Sequence, residues 1–284
     1  WAQDELGQAS PAAGAYWWPH KAYPQERVSA WSAESLSVYE EDYLLTDSGV
    51  WRHRHDRLCV VPDDASYCLA LLRDVERIPS SEWPMPLVDA FRVRIPMIDV
   101  PVYLPRLRTR AEREGVRFLR REVTSWNGLD QGIYVNATGL GARGLGDNLV
   151  RPYRGQMLRV VCPSGLEHSI RVVEAGSKFT LILPRGPHCL LGGTAQVDDW
   201  ELTPDPQTSA AILARCASIV PALRTAEVLD TVVALRPARD PIRLEAEALE
   251  GGVTLIHNYG HGGGGFTVCW GCAAEVVRIA EGYR

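Results

Sequence analysis

Residues 253–281 restrict the fold more than any other stretch. Residues 253–256 read as the end of a short apolar strand. Five glycines then fall within residues 260–265, and the apolar run from Phe266 to Ala280 reads as a helix. A strand that enters a glycine loop and leaves as a helix brings free backbone N–H groups close to an anionic or polar ligand. Glycine suits such a loop because a Cβ would hold the ligand away, and because loops of this kind use positive φ. Two other readings stay open at this point. The loop also has the composition of a plain tight turn. His257, His261, Cys269 and Cys272 carry the H-x3-H and C-x2-C spacings of a zinc site, although His257 falls at a predicted strand end and the cysteines inside an apolar helix.

At 284 residues the chain can bury a sizeable core, with room for two lobes. A net charge of −5 argues against nucleic acid or an anionic membrane as the main partner. No apolar run approaches the roughly 20 residues of a transmembrane helix. Seven scattered cysteines suit a reducing compartment better than a disulfide framework. The start, from Trp1 to Leu6, has neither a basic nor an apolar signal region, and the last three residues are not a peroxisomal tripeptide. A cytoplasmic, bacterial-type enzyme is the expectation. Trp1 in place of methionine suggests a processed or excised chain.

Residues 9–19 are small and then aromatic: small residues let the backbone lie against a flat ring, and Tyr16, Trp17 and Trp18 can wall a pocket. A Pro/Gly loop packed on the core reads equally well. Residues 27–44 show helical spacing of Val28, Trp31, Leu36, Tyr39 and Tyr43. Residues 51–55 read as an exposed turn or strand start, 58–61 as a short strand and 66–75 as a helix. The proline-rich stretch 79–96 suits strands and turns. A helix opens at Val102 with Pro105 in its first turn, and Gly115 closes it. Strands are predicted at 116–123 and 133–137, then at 157–161, 169–173, 179–183 and 189–193, the last four antiparallel neighbours. A helix at 205–219 and a strand at 228–235 follow. Helices alternating with strands in this way make an α/β layer.

Gly139, Gly141 and Gly144 spell G-x-G-x-x-G after a strand. That dinucleotide fingerprint needs a following helix of about 10 residues or more, and Asp147, Asn148 and Pro152 interrupt at once. The match is a decoy. Arg236 is the stronger feature. An arginine at the end of an apolar strand, with proline after it, can present its fork to a carboxylate, or else pair with a surface acid such as Glu245. Spacing alone does not decide between them.

Residues 256–260, the following glycines and Gly271-Cys272-Ala273 together resemble the C-terminal signature of the D-amino-acid oxidase family. The segment from Leu235 to Glu245 and the Ala12-Ala13-Gly14 stretch are similar to that family too, and the resemblance runs over nearly all of residues 2–281. It implies an α/β two-lobe fold of the D-amino-acid oxidase type. The flavin lobe would lie near residues 1–20, 98–160 and 250–284, and the substrate lobe at 21–97 and 161–249. It implies FAD as cofactor, a D-amino acid and O2 as small-molecule partners, and neither a nucleophile nor a metal. Flavin contacts fall to Ala13, Gly14, Val123, Thr138, Gly262, Gly263, Gly264, Gly265, Phe266 and Thr267. Substrate contacts fall to Arg236, Leu181, Trp18 and Gly263. Arg239 and Arg243 read as structural or near-flavin charges. No G-x-S-x-G occurs to support a hydrolase.

Two departures from the family pattern matter. Leu181 stands where a tyrosine hydroxyl is usual, so the chamber is expected to be apolar and to prefer apolar D-side chains. The first strand, glycine fingerprint and helix are absent from the sequence, and residues 1–4 look like the tail of a second strand. That leads to an expectation that residues 1–284 alone hold FAD weakly. It leaves a flavin-less binding or non-redox biosynthetic relative as the alternative, and a homodimer or a separate N-terminal fragment as protein partners.

Overall fold

The structure is a computed structural model that describes residues 9–20, 22–63, 66–176 and 178–283. The expectation for residues 1–4 lies outside the described residues. In chain order the elements are α1 (Gln25–Asp42), β1 (Val50–Cys59), β2 (Val75–Arg77), β3 (Asp89–Ile98), α2 (Val100–Arg113), β4 (Gly132–Asn136), β5 (Arg151–Val161), β6 (Ser169–Val173), β7 (Lys178–Arg185), β8 (His188–Thr194), β9 (Gln196–Val197), α3 (Pro206–Ile219), β10 (Val228–Leu249), β11 (Val253–His261) and α4 (Gly265–Glu281). Local chemistry explains the helices. α3 starts at Pro206 because the Asp205 carboxylate accepts from the Gln207 and Thr208 N–H groups. α1 buries Val28, Trp31, Ser35 and Tyr39, three or four residues apart, and packs against α4, where Gly271 lies so close to the Trp31 backbone that a Cβ has no room.

One mixed sheet runs through the molecule in the order β2-β3-β1-β6-β7-β8-β5-β10-β11-β4, with β9 also paired to β5. β1 pairs parallel with β6 and β11 parallel with β4, while the other neighbours are antiparallel. This is the expected α/β fold. β10 is its long member: residues 228–238 pair with β5, and residues 243–249 with β11, across an irregularity between Ala238 and Arg243.

Side chains alternate along a strand, and residues opposite each other in the ladder share a face. On one face Leu58, Leu158, Val160, Ile170, Val172, Ile182 and Leu191 pack against Ile212 and Cys216 of α3, a closed apolar layer. On the other face the register aligns His55 with Ser169, Arg57 with Arg171, Arg171 with Leu181, Leu181 with Gly192 and Gly192 with Met157. This face carries polar groups among its apolar ones, and the site is built on it.

Several elements differ from expectation. Residues 116–123 are irregular and mostly exposed rather than a strand. The alternation of Val116 and Phe118 stops at Leu119, which is followed by Arg120, Arg121 and Glu122, and Arg108 covers the Phe118 ring. Of the two readings of residues 51–55, the strand start is the one observed: they open the ten-residue β1, but His53 and His55 are buried rather than exposed. The helix expected at 66–75 is a 3-10 turn, Ser66–Leu71. α2 begins two residues early, with Pro101 in its first turn and Pro105 in its interior. His257 lies within β11 rather than at a strand end, and Arg236 lies within β10, because the ladder with β5 continues through Pro237 to Ala238. Proline is tolerated there because it supplies no ladder donor at a site where the pairing changes partners.

Candidate active site

Arg236 projects over β5. A Cβ on Gly155 would stand 2.5 Å from its Cζ, so the guanidinium lies flat on a position only glycine can supply. One Nη donates to the Thr194 carbonyl oxygen at 3.1 Å, and among the described residues no carboxylate pairs with it. Burial lowers its pKa from the ordinary value, opposed in part by Tyr16. Arg171 lies on the same face, stacked 3.9 Å over the Phe179 ring, with Nε buried and unbonded. Phe179 in turn rests on Gly192 and Gly193, where added Cβ atoms would come within 3.0 and 3.2 Å of the ring. Met97, Met157, Leu181, Leu183 and Ala195 complete a buried apolar lining.

Next to this floor stand Tyr16, Trp18, His53 and His55. The His55 ring is 5.1 Å from Tyr16, and its Nδ1 meets the Ser169 hydroxyl at 2.7 Å. Burial pushes the His55 pKa well down, helped by Arg57, and burial with Arg185 lowers His53 to about 4. Both rings are therefore neutral at neutral pH. Trp18 stacks on Phe91 and carries the Arg57 guanidinium 4.1 Å from its ring; Arg57 is paired with Asp63 at 2.5 Å.

The glycine loop closes the other side. Gly260 has φ +88° because Arg239 crosses it: a Cβ there would be 2.5 Å from the Arg239 Cβ. Gly263 faces His20, whose ring a Cβ would approach to 3.0 Å, and His20 meets Phe179 edge-on at 6.1 Å. α4 then starts at Gly265 with no side-chain cap, which leaves its first-turn N–H groups for another acceptor. The Trp18 N–H donates to the Thr267 hydroxyl at 3.1 Å, and Phe266 packs in the same cluster as Ala13. The Arg185 guanidinium reaches the carbonyl oxygens of Gly14, Ala15 and Ile98, which fixes the segment carrying Ala13 and Gly14.

The expected site residues are thus brought together in two groups that meet. Arg236, Leu181 and Trp18 belong to the sheet face; Ala13, Gly14, Gly262, Gly263, Gly264, Gly265, Phe266 and Thr267 belong to the loop and the segment beneath it. Thr138 sits in the turn after β4, bonded through its hydroxyl to Asn136 Oδ1 at 2.7 Å, and a Cβ on Gly139 beside it would stand 3.6 Å from Pro237. The decoy glycines form a 3-10 turn, Gly139–Arg143, and no helix follows. Val123 is half-buried in the stretch before β4. The zinc spacings point to different partners: His257 bonds Asn136 and Glu247, His261 bonds Asn258, Cys269 lies 3.3 Å from the Tyr39 hydroxyl, and Cys272 is buried with Val28 and Val268. Among the described residues no cluster of His, Cys, Asp and Glu is arranged to hold a metal ion. Arg171, Phe179, His20 and His55 did not stand out in the sequence. The available signal for Arg171 was a lone cation inside the apolar run Ser169–Val173.

The family model described as FAD dependent oxidoreductase matches residues 2–279. The D-amino-acid oxidase of Streptomyces coelicolor is 40% identical over 276 residues, which cover 96% of this chain and 85% of the relative. That of Rubrobacter xylanophilus is 39% identical over 276 residues, covering 95% and 84%. The crystal structure of glycine oxidase from Geobacillus kaustophilus superposes with a TM-score of 0.79 at 18% identity, over 99% of this chain and 86% of the other. These likenesses do not favour a flavin-less binding protein.

Proposed function

The chain belongs to the FAD-dependent oxidoreductase family, and from that premise we propose that it carries out FAD-dependent oxidative deamination of a D-amino acid, with Arg236 as the holder of the substrate carboxylate. The observation that carries this is the seat of Arg236. A desolvated guanidinium, flat on Gly155 and anchored by one carbonyl, keeps other N–H groups for a planar anion.

The residues around the glycine loop fit the cofactor. The Cβ position of Gly265 opens on free space, and the first turn of α4 offers uncapped donors there. Ala13, Gly14, Thr138 and residues 262–267 would hold the flavin, and Gly263 would face both flavin and substrate. We divide the chain accordingly: residues 1–20, 98–160 and 250–284 on the flavin side, and 21–97 and 161–249 on the substrate side. Held by these residues, a flavin would supply a two-electron acceptor for the hydride equivalent of the α-carbon, with O2 as the final oxidant. The net change is amino acid, O2 and water to 2-oxo acid, ammonia and hydrogen peroxide, the imine hydrolysing in water.

The protein's part is orientation, desolvation and charge. Arg236 fixes the carboxylate. Trp18, Phe179 and Leu181 exclude water from the α-carbon. Positive charge from Arg236 and Arg171, with His53 and His55 neutral, favours the neutral amine that oxidation requires over the ammonium. No helix among the described residues is long and apolar enough to cross a membrane. All seven cysteines are free, which suits a reducing compartment. The test is direct: the FAD-loaded protein should release peroxide and a 2-oxo acid from D-amino acids but not from their L-enantiomers. A protein that holds FAD and yields peroxide from no D-amino acid ends this reading.

A further inference from the structure

We propose that His257 is a positioning residue for the cofactor: through Asn136 it aims Thr138 at the flavin, and its protonation lets Thr138 go. The inference rests on Thr138 as a flavin contact and deepens that reading by naming what holds it and what releases it.

The two residues meet where β11 and β4 run parallel. His257 stands opposite Asn136 on the last rung of that ladder, and both are buried. Beyond the rung β4 gives way to the Thr138 turn, while β11 runs on into the glycine loop. Ligands of open α/β sheets sit outside the carboxyl ends of parallel strands, which is where these two segments leave the sheet. The rung therefore ties the Thr138 turn to the strand that carries residues 262–265.

Its hydrogen bonds have one consistent assignment. The Thr138 N–H and hydroxyl both lie against Asn136 Oδ1, at 3.2 and 2.7 Å. A backbone N–H only donates, so the atom it meets is the amide oxygen. Asn136 Nδ2 then faces His257 Nδ1 at 3.2 Å as a donor. His257 Nδ1 must accept, so the ring proton sits on Nε2, which donates to Glu247 Oε2 at 2.9 Å. Arg243 holds Glu247 in place at 3.0 Å.

A second proton on His257 breaks this order. It would set an Nδ1–H against the Asn136 NH2 group. The amide can accept only by turning over, and its NH2 then meets the Thr138 N–H, which loses its acceptor. The neutral ring is thus the one that holds Thr138. Glu245, Glu247 and Arg243 face the ring from β10, and β4 contributes the Asn136 amide. On its own strand Tyr259 packs edge-on at 5.7 Å, with the Asp147 carboxylate bonded to its hydroxyl. Burial lowers the His257 pKa against the pull of Glu247, so the ring is neutral at neutral pH. FAD and the second proton therefore oppose each other, and each weakens the other's binding by the same factor.

The test is FAD affinity, read from flavin fluorescence as FAD is titrated into the protein, with no turnover needed. Wild-type Kd should rise as pH falls from about 8 to about 5. His257→Phe keeps a ring but offers no acceptor; it should raise Kd about tenfold at the upper pH and flatten the pH dependence. Asn136→Asp should invert the sign. A carboxylate brings no N–H, so His257 must carry its second proton to meet it, and Kd should rise with pH instead. An asparagine that served only the fold would give no inversion. If these variants do not fold, the wild type decides by NMR: the His257 pKa should be lower with FAD than without. Slopes of one sign in wild type and Asn136→Asp, or a His257 pKa that FAD leaves unmoved, overturn the relay. Thr138→Val separates the two readings. Wild-type affinity in that variant takes Thr138 off the flavin and ends both, whereas weaker binding there with His257→Phe unaffected ends the relay alone. A protein that takes up no FAD at any pH also ends both.

Discussion

Arg236 and Arg243 stand on the same strand, either side of the irregularity between Ala238 and Arg243, and their surroundings differ completely. Arg243 meets Glu245 at 2.7 Å, Glu247 at 3.0 Å and the Tyr259 hydroxyl at 3.0 Å. Burial would lower its pKa, but Glu245 and Tyr259 hold it above the ordinary value. Between the two, Arg239 is paired with Asp147 at 2.8 Å. Burial pushes the Asp147 carboxyl up, and bonds from Tyr259, the Leu149 N–H and Arg239 outweigh it and hold it below its usual range. Arg236 has a carbonyl, a glycine and, among the described residues, no acid. One half of the strand spends its charge on the fold, and the other keeps it. An arginine's role here follows from what neutralises it, which the motif Arg236-Pro237-x-Arg239 does not reveal.

The sharpest way to break this comparison is to remove the unspent charge. Arg236→Leu should lower kcat/KM for D-amino acids about a thousandfold, as expected for losing a desolvated charge-assisted pair, with little loss of stability. Lysine there should rescue poorly because it lacks the planar fork. An Arg236→Leu variant with wild-type kcat/KM would remove the residue from the site.

A subtler change leaves the charge and moves it. Gly155→Ala places a methyl where the guanidinium lies, so Arg236 must shift. Displacement by about 1 Å should cost up to about a hundredfold in kcat/KM. Thermal unfolding should change little, since the obstructing atoms are the end of a flexible side chain. Activity equal to wild type would show that Arg236 does not work from this seat.

The smallest effect on catalysis, and the one that tests the other half of the strand, is Asp147→Asn. It should destabilise the protein by about 2–4 kcal/mol, because Arg239 loses a largely buried partner, while activity per folded molecule stays within a few-fold. The sign of the pH dependence follows. The folded pKa of Asp147 lies below its unfolded value of about 3.9, so its contribution is present above that pH and is lost as pH falls through the folded value. Urea unfolding at pH 6 and pH 3 should show the gap between wild type and variant narrowing at the lower pH. A gap that widens contradicts the assignment.

Much of this was readable before any coordinates. The loop at residues 260–265, α1, α3, α4 and the four strands from β5 to β8 follow from local composition and period, and so does the failure of Gly139–Arg143 to begin a helix. What local pattern cannot carry is register between distant segments. Arg171 comes into the site through the parallel pairing of β6 with β1, over a hundred residues earlier, and through the β7 ladder that sets it opposite Leu181. Leu181 without that partner suggests a purely apolar chamber. Residues 116–123 depart for the opposite reason: their composition suits a strand, but the alternation of Val116 and Phe118 breaks at Leu119 and a run of charged residues follows.

The 22 residues of β10 act as a ruler. Arg236 and the glycine loop are joined along one backbone, held on one side by the ladder to β5 and on the other by the ladder to β11, which itself runs into residues 260–265. Their separation is therefore set by covalent geometry and hydrogen-bond spacing, not by how well two lobes happen to pack. Loosening the apolar layer under α3 should cost stability well before it alters that distance. The positional tolerance of the chemistry is built into a single strand.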